Sequence, residues 1–363
     1  MLFESLAFTS GQVMPNRFML APLTNQQSHA DGRLSDDEFT WLTMRAAGGF
    51  GMTMTCGVYV RDEGKGFPGQ LGLTEALHFD SHRRMAEGIR AHGSLAVMQL
   101  IHGGMRAIGQ NGEQILAPSD VARKGARAMT AAEVARTREA FIQAAVWAEE
   151  CGYHGVELHG AHGYLLCQFL SPEVNTRDDQ YGGGLDNRSR LLWEIIDGIR
   201  ARCRPDFVLG VRLSPERFGM RLDEISALYR DLCASGKVDF MDMSLWDIFK
   251  EPEEEAHRGR RLLDIFAALP RAGARLTVAG KITTGANVRL AMDAGVDFVA
   301  IGRAAILHHD FPAKVKGDPD FTPIALPVSP SHLRAEGLSP TFVTYMRNWQ
   351  GFVADDTAGD TAA

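Results

Sequence analysis

Two histidines and a tyrosine stand close together in the segment VELHGAHGYLLCQFL, which spans residues 156–170. His162 follows His159 by three residues, and Tyr164 comes two residues later. Two neutral imidazoles can donate N–H hydrogen bonds to one oxygen, and a nearby phenol can deliver a proton. The spacing therefore predicts a site that polarises a substrate oxygen and protonates the substrate.

Two other interpretations of these residues remain open. A metal ion is the first, but ligands of matching type are missing nearby and the helical H-E-x-x-H pattern is absent, so we predict no metal. A structural role is the second. One histidine would then cap a turn, and Tyr164 would be packed with its hydroxyl group hydrogen bonded.

The elements that must position these residues follow a βα alternation from residue 17 onward, in which short apolar runs alternate with stretches of helical periodicity. The predicted strands are Arg17–Leu23, Gly51–Val60, Leu95–Ile101, Gly155–His159, Phe207–Leu213, Asp239–Ser244, Arg275–Gly280 and Asp297–Gly302. The predicted helices lie near 36–47, 80–92, 131–151, 187–202, 222–234, 260–268 and 285–294.

Eight such strands predict an α/β fold, a single (β/α)8 TIM barrel with extended βα loops and a short C-terminal extension. A doubly wound sheet is the alternative, but the G-x-G-x-x-G turn expected after an early strand is absent. We assign residues 1–353 to the barrel, including a helical segment around Ser339–Phe352. We interpret residues 354–363 as a disordered tail.

Catalytic groups of a barrel lie at the carboxyl ends of its strands. Loops after strands 7 and 8 often bind phosphate, because backbone N–H groups converge there. The segments AGKITTG (279–285) and AIGR (300–303) fit such a site, since glycine lets the backbone approach an anion and Arg303 adds charge-assisted bonds. Turn glycines without a ligand are the alternative interpretation.

A longer motif carries a resemblance to a known family. The segment HGAHGYLLCQFLSPEVNTRDDQYGGGLDNRSR (159–190) resembles the motif of the Old Yellow Enzyme family, with matching spacing of its His, Tyr, Asn and Arg residues. NRFMLAPLT (16–24), VMQLIHGG (97–104), GVRLSPE (210–216) and AIGR resemble the family's first, third, fifth and eighth strands. The resemblance covers nearly the whole barrel.

The resemblance implies FMN as the cofactor and NADH or NADPH as the reductant. Thr24 would bond the flavin C4 carbonyl, Gln99 would contact the pyrimidine edge, and Arg212 would stabilise negative charge on the reduced ring. His159 and His162 would hold the substrate oxygen, and Tyr164 would protonate carbon. The other implied cofactor contacts are Ala21, Pro22, Leu23, His159, Gly280, Lys281, Gly302 and Arg303.

Substrate contacts are implied at positions where this chain departs from the family pattern. Gln26 stands where one branch has tyrosine, Ile101 where the other has tryptophan, and Thr24 where the His-His branch commonly has cysteine. Trp246 is expected to wall the substrate pocket, or else to serve in packing. Arg347 resembles an arginine that some members insert into a neighbouring subunit, with a helix packed on its own barrel as the alternative.

The implied reaction is reduction of the activated C=C bond of α,β-unsaturated carbonyl or nitro compounds by a ping-pong mechanism. Within the family, the alternative is oxidative C–N cleavage or dehydrogenation of a cyclic amine or ketone. From another class, the alternative is a flavin-free barrel isomerase or aldolase that binds a sugar phosphate.

The bulk composition agrees with a small-molecule enzyme. A formal charge of -7 offers no basic surface for nucleic acid or an anionic membrane. No apolar run reaches the roughly 20 residues of a membrane span, and the start resembles no signal peptide, so we expect a cytoplasmic protein. Five scattered cysteines indicate reduced thiols. We expect a homodimer or higher homo-oligomer.

Overall fold

A computed structural model describes residues 1–109 and 112–355. Eight parallel strands form a closed barrel in chain order. They are β1 (Phe18–Leu20), β2 (Met52–Tyr59), β3 (Leu95–Ile101), β4 (Gly155–Gly160), β5 (Val208–Leu213), β6 (Phe240–Ser244), β7 (Arg275–Ala279) and β8 (Phe298–Ile301). The predicted (β/α)8 barrel and the position of each predicted strand are confirmed.

Helices follow the strands and cover the outside of the barrel. They are α1 (Asp36–Ala47), α2 (Phe79–Arg90), α3 (Ala131–Glu150), α4 (Leu165–Leu170), α5 (Leu185–Arg202), α6 (Leu222–Ala234), α7 (Leu262–Ala267), α8 (Gly285–Asp293), α9 (Arg303–Leu307), α10 (Phe311–Gly317), α11 (Pro330–Ala335) and α12 (Pro340–Met346). All seven predicted helices are present, whereas α4 and α9 to α11 lie outside the predicted ranges. No described helix has the length and apolar character of a membrane span.

The alternation of side chains along each strand divides the core into two clusters. Outward-facing residues such as Val156 and Leu158 pack against the helices. Inward-facing residues near the amino ends of the strands, among them Val97 and Phe298, form a second apolar cluster inside the barrel. A short hairpin, Leu6–Ala7 paired with Val13–Met14, closes this end, where Phe8 packs its ring 5.9 Å from that of Phe298.

The C-terminal extension is fastened to the barrel by a cluster of polar side chains. His332 Nε2 bonds the Leu307 carbonyl at 2.9 Å, and the Ile324 backbone N–H donates to His308 Nε2 at 3.0 Å. His308, His332 and Glu336 lie near enough together to bind a metal ion. However, the bond from Ile324 occupies the only lone pair of a neutral His308 ring, so the cluster serves as a structural contact.

The last predicted helical segment is shorter than expected. Only Pro340–Met346 is helical, with Ser339 as its N-cap, and a turn follows. Of the predicted tail, residues 356–363 lie outside the described residues.

Candidate functional site

Polar side chains replace apolar ones higher inside the barrel, toward the carboxyl ends of the strands. Gln99, Glu157, Arg212, Asp242 and Thr277 all point inward because both neighbours of each on its strand pack outward in the first apolar cluster. All are buried. The sequence thus builds a polar floor beneath the catalytic face.

This polar floor contains one positive and two acidic side chains. Gln99 Nε2 donates to Glu157 Oε1 at 2.7 Å, and Arg212 Nε lies 3.1 Å from Asp242 Oδ2. Burial and the charge of Asp242 raise the pKa of Glu157 well above its usual value. Burial also raises the pKa of Asp242, while Arg212 and a hydrogen bond from Glu157 lower it. Glu157 is therefore the group of this pair that keeps its proton, while Asp242 faces the Arg212 guanidinium.

The predicted histidines and tyrosine meet directly above this floor. The ring centroids of His159 and His162 lie 5.0 Å apart, and the Tyr164 ring lies 5.1 Å from that of His159. His159 is the last inward-facing residue of β4. His162 and Tyr164 follow in the turn that leads into α4. The structure brings all three predicted catalytic residues together.

Hydrogen bonds fix the protonation pattern of the two imidazoles. The Ala161 backbone N–H donates to His159 Nδ1 at 3.3 Å, so a neutral His159 carries its proton on Nε2. That Nε2 lies 3.3 Å from His162 Nδ1, which accepts the proton's hydrogen bond. The proton of His162 then lies on Nε2, 2.7 Å from Ser244 Oγ. Sequence reasoning missed Ser244 as a partner of the histidines.

Both imidazoles are neutral at physiological pH. Burial lowers the pKa of His159 well below its usual value, and the charges of His162, Arg212 and Arg106 lower it further. Burial, followed by Arg212 and Arg106, does the same for the pKa of His162. Burial raises the pKa of Tyr164 although the nearby Arg106 guanidinium opposes this shift. Tyr164 therefore keeps its proton and can act as an acid.

A cleft of about 370 Å³ adjoins the histidines and passes over the loops after β7 and β8. This volume suits a small-molecule cofactor. Its lining includes the predicted cofactor residues Ala21, Pro22, Leu23, Arg212, Gly280, Lys281, Gly302 and Arg303, together with Trp246. The structure thus places these predicted contacts on one surface.

At the loops after β7 and β8, where an anion is expected to bind, the lysine is placed differently from the prediction. Lys281 Nζ lies 2.8 Å from Asp247 Oδ2, so its charge is already paired. Arg303 is exposed and forms no salt bridge within residues 1–109 and 112–355. A Cβ at Gly302 would face open space except for Leu23 at 3.6 Å, and its absence leaves the backbone accessible to a ligand. Arg303 is the stronger candidate for an anion contact.

The remaining predicted substrate residues lie in different places relative to the cleft. Ile101 is buried at the end of β3, and Gln26 lies in the loop after β1 with a φ of 59°. Trp246 is exposed beside the cleft. Arg347 lies on the surface, where its Nη1 donates to the Ala354 carbonyl at 3.2 Å.

Two C-terminal aromatic residues reach the site. Trp349 lines the cleft, and its ring centroid lies 4.9 Å from that of Tyr345. Burial raises the pKa of Tyr345, a hydrogen bond with Thr24 lowers it, and the nearby Tyr164 raises it. Tyr345 therefore connects the predicted flavin contact Thr24 with the predicted acid. The aromatic residues around Arg347 were visible in the sequence, but their position on their own barrel was not.

Backbone strain is concentrated at this face of the barrel. Among described non-glycine residues, positive φ angles occur outside this face only at Ala272. The residues with positive φ at the catalytic face are Gln26, His162, Arg217, Phe218, Trp246 and Lys281. Each such residue costs on the order of 1–3 kcal/mol, and such strain is typical of functional sites.

A closed (β/α)8 barrel with a cleft over the loops after β7 and β8 is typical of barrel enzymes that act on small molecules. Comparison with known proteins is more specific. The profile of the NADH:flavin oxidoreductase / NADH oxidase family matches residues 1–319. The chain belongs to this family, that of Old Yellow Enzyme, whose members use FMN and NADH or NADPH.

Individual relatives support the assignment. The chain is 32% identical over 327 residues to the probable NADH-dependent flavin oxidoreductase YqiG of Bacillus subtilis, with 87% of each chain covered. It is 31% identical to the NADH:fumarate oxidoreductase of Klebsiella pneumoniae, a longer protein of which it covers 36%. The structure of morphinone reductase in complex with tetrahydroNAD matches with a TM-score of 0.77 and 25% identity, over 92% of this chain and 93% of that one.

Family membership decides between two alternatives left open by the sequence. It identifies an FMN-dependent NAD(P)H oxidoreductase and disfavours the flavin-free isomerase or aldolase. The roles of individual site residues and the substrate remain predictions.

Proposed function

We propose that this enzyme reduces the activated C=C bond of α,β-unsaturated carbonyl or nitro compounds by a ping-pong mechanism. The observation that carries the proposal is the neutral His159 and His162 pair beside a protonated Tyr164, with His162 bonded to Ser244 of the cleft. This set offers hydrogen-bond donors for an oxygen and a proton for carbon, and both are needed to reduce an enone.

The residues around the cleft fit FMN. Arg212 lines the cleft while its Nε faces Asp242, so the polar floor presents a buried guanidinium to a ligand. Gln99 uses its amide nitrogen for Glu157, which leaves its amide oxygen to accept from the pyrimidine edge. Gly280, Lys281, Gly302 and Arg303 would hold the phosphate, and Ala21, Pro22, Leu23 and Thr24 would lie along the ring. When bound, FMN takes hydride from NAD(P)H and transfers it to the alkene.

The protein residues supply polarisation and the proton. We propose that a substrate carbonyl or nitro oxygen accepts the Nε2–H of His159 and replaces its present bond to His162. His162 must then turn its own N–H away from Ser244 to become the second donor. These bonds draw electron density from the β-carbon, which receives hydride. The Tyr164 hydroxyl proton goes to the α-carbon and is replaced from solvent, so the alkene gains two hydrogens and NAD(P)H loses one hydride.

A Tyr164→Phe variant tests the proposal. Reduction of FMN by NAD(P)H should persist, because no proton from Tyr164 is needed for that step. Turnover of a weakly activated enone should fall by about 10²–10⁴, the range for a positioned acid. Stopped-flow absorbance separates the two half-reactions, and parallel double-reciprocal plots are expected for the wild type.

The wild-type enzyme provides the outcome that would contradict the proposal. If NAD(P)H-reduced enzyme is reoxidised by neither enones nor nitroalkenes, ene-reduction is wrong. Reduction of the oxidised enzyme by cyclic amines or ketones would then support C–N cleavage or dehydrogenation.

A further inference from the structure

Two arginines that sequence reasoning did not single out approach the histidine and tyrosine cluster from different loops. Arg106 follows β3, and its guanidinium carbon lies 5.2 Å from the centre of the Tyr164 ring. Its Nη1 also donates to the His162 carbonyl at 3.2 Å. Arg217 follows β5, and its guanidinium carbon lies 4.2 Å above the Trp246 ring.

The two loops meet over Gly163. A Cβ placed on Gly163 would lie 3.1 Å from Phe218 Cδ1 and 3.8 Å from Arg106 Nη1. The Phe218 ring centroid is also 6.4 Å from that of His162. Arg106 and Phe218, the residue after Arg217, thus border the same small region beside His162. Arg106 and Arg217 both lower the pKa of His162, which shows that both charges act on this region.

The loop that carries Arg217 is held in a defined shape. Met220 N–H donates to the Arg217 carbonyl at 2.8 Å and closes a tight turn. Arg217 and Phe218 both have positive φ, at 68° and 54°, and Trp246 beneath Arg217 has a φ of 68°. Arg217, Phe218 and Trp246 each keep a strained backbone conformation, and such strain is typical of functional sites.

Carboxylates near these arginines make their short contacts with lysines. Lys250 Nζ lies 2.5 Å from Glu216 and 2.6 Å from Glu253, and Asp247 pairs with Lys281. Arg106 and Arg217 are both exposed, and neither forms a salt bridge with any carboxylate of the described structure. Glu253 is close enough for Arg217 to lower its pKa, but its own contact is with Lys250. The guanidinium groups of Arg106 and Arg217 are therefore without a carboxylate partner in the described structure.

We propose that Arg106 and Arg217 bind an anionic oxyacid group, so that the enzyme prefers electron-poor alkenes that carry a carboxylate. This inference rests on the proposed ene-reduction. A guanidinium offers planar, paired donors that match a carboxylate, and it stays charged at every relevant pH. The arginines lie beside His162 and Tyr164, where the alkene must be held, so the substrate carboxylate is the group they would meet. The phosphates of NAD(P)H share this chemistry and are distinguished by the test.

The test compares an acid with its methyl ester. The two substrates are trans-4-oxopent-2-enoate and its methyl ester, which contain the same enone. The ester also activates the alkene more strongly than the carboxylate does, and this difference cancels when each variant is compared with the wild type. The measured quantity is the ratio of kcat/KM for the acid to that for the ester, in the wild type, R106Q, R217Q and the double variant. We expect the double variant to lower this ratio by about 10-fold to 100-fold, the value of one or two charge-assisted hydrogen bonds. An R106K/R217K variant should retain part of the preference, since charge remains but the fork is lost.

Matched controls separate this result from general effects. Arg123 is exposed in a 3-10 turn farther along the segment between β3 and α3, and no contact joins it to the site in the described structure, so R123Q removes the same charge. FMN content and circular dichroism confirm folding of each variant. If R123Q lowers the ratio as much as R106Q and R217Q do, the effect is long-range electrostatics and the proposal is wrong.

The reductive half-reaction distinguishes the two sources of the anion. A variant that changes the apparent Kd for NADPH or NADH, while the acid to ester ratio stays at the wild-type value, would assign the arginines to nucleotide phosphate and overturn the carboxylate proposal. An unchanged ratio with unchanged nucleotide binding would overturn both assignments.

A binding measurement keeps the proposal falsifiable if the enzyme reduces no enone. The proposed ene-reduction fails if the ester is not reduced by the wild type. Binding of 4-hydroxybenzoate and 4-hydroxybenzamide to the holoenzyme, followed by flavin absorbance, then tests the arginines alone. Preferential binding of the benzoate that disappears in the double variant supports an anion site, and equal binding of both phenols rules it out.

Discussion

Glu157 of the polar floor keeps its proton in the native protein, and the free energy of unfolding should therefore depend on pH through this residue. Glu157 is fully buried, accepts from Gln99 at 2.7 Å and is held neutral by burial and by Asp242. A Glu157→Gln substitution preserves the shape and the carbonyl oxygen that Gln99 contacts, and its amide N–H can replace the carboxylic O–H toward Asp242. The variant should therefore fold with the same site and without a titrating group at this position.

The magnitude follows from proton linkage. In the unfolded chain a glutamate loses its proton near pH 4.3, whereas in the native protein Glu157 keeps it because its pKa is raised. The native state then binds more protons than the unfolded state above this pH, so the stability of the wild type falls as pH rises. The loss is about 1.4 kcal/mol per pH unit up to the native pKa of Glu157, and it amounts to at most roughly 4 kcal/mol by pH 7. The glutamine variant avoids this loss.

Urea unfolding followed by tryptophan fluorescence, at about pH 5, 6 and 7 with saturating FMN, measures the difference between variant and wild type. We expect the variant to gain about 1.4 kcal/mol per pH unit over the wild type. Asp242→Asn is the control of opposite sign, since it leaves the buried Arg212 without its carboxylate and should cost roughly 3–5 kcal/mol. Stability curves that stay parallel between Glu157→Gln and the wild type would refute the protonated assignment.

Three further predictions concern the site and its surroundings. Changing His159 and His162 to alanine should abolish the charge-transfer band of a para-substituted phenol while FMN stays bound, and wild-type phenol affinity in this variant would contradict the oxygen clamp. Burial lowers the pKa of His82 and of His102 to about 4, so the unfolded state binds more protons than the native state below pH 6.5. The free energy of unfolding should therefore fall by about 1.4 kcal/mol per pH unit for each histidine as the pH is lowered toward 4. Urea unfolding of His82→Gln checks this, because the variant should lose less stability in acid than the wild type. Arg347→Ala should raise the KM for substrate or NAD(P)H if Arg347 enters a neighbouring subunit, whereas a monomeric wild type in analytical ultracentrifugation or unaltered kinetics would exclude that role.

The barrel was predictable because its strands are apolar on both faces and its helices are periodic. Differences arise where a local feature overrides the pattern. The first strand ends at Leu20 rather than Leu23, because Pro22 cannot donate a hydrogen bond to a neighbouring strand. Helix α4 is buried at every position, so it has no polar face to give helical periodicity.

The acidic residues of the polar floor could have been found from the sequence, although of this floor only Gln99 and Arg212 were. Glu157 stands two residues before His159 on a strand, and Asp242 stands two before Ser244, so each pair shares one face. Arg106 and Arg217 could not be found in this way. They lie on loops after the strands, and the direction of a loop side chain depends on contacts such as those with Gly163 and Trp246 that no periodicity encodes.

The C-terminal segment shows why two interpretations of one sequence need not exclude each other. Helix α12 is anchored on its own barrel, because the Phe342 ring packs 5.4 Å from Trp41 and the Ser339 N–H donates to Gln27 Oε1 at 3.0 Å. This anchor brings Tyr345 to its own site. Arg347, two residues further on, lies at the surface, since residues two apart on a helix face different directions. A segment held in place by its apolar residues can therefore offer its charged residue to a second copy of the chain without further ordering.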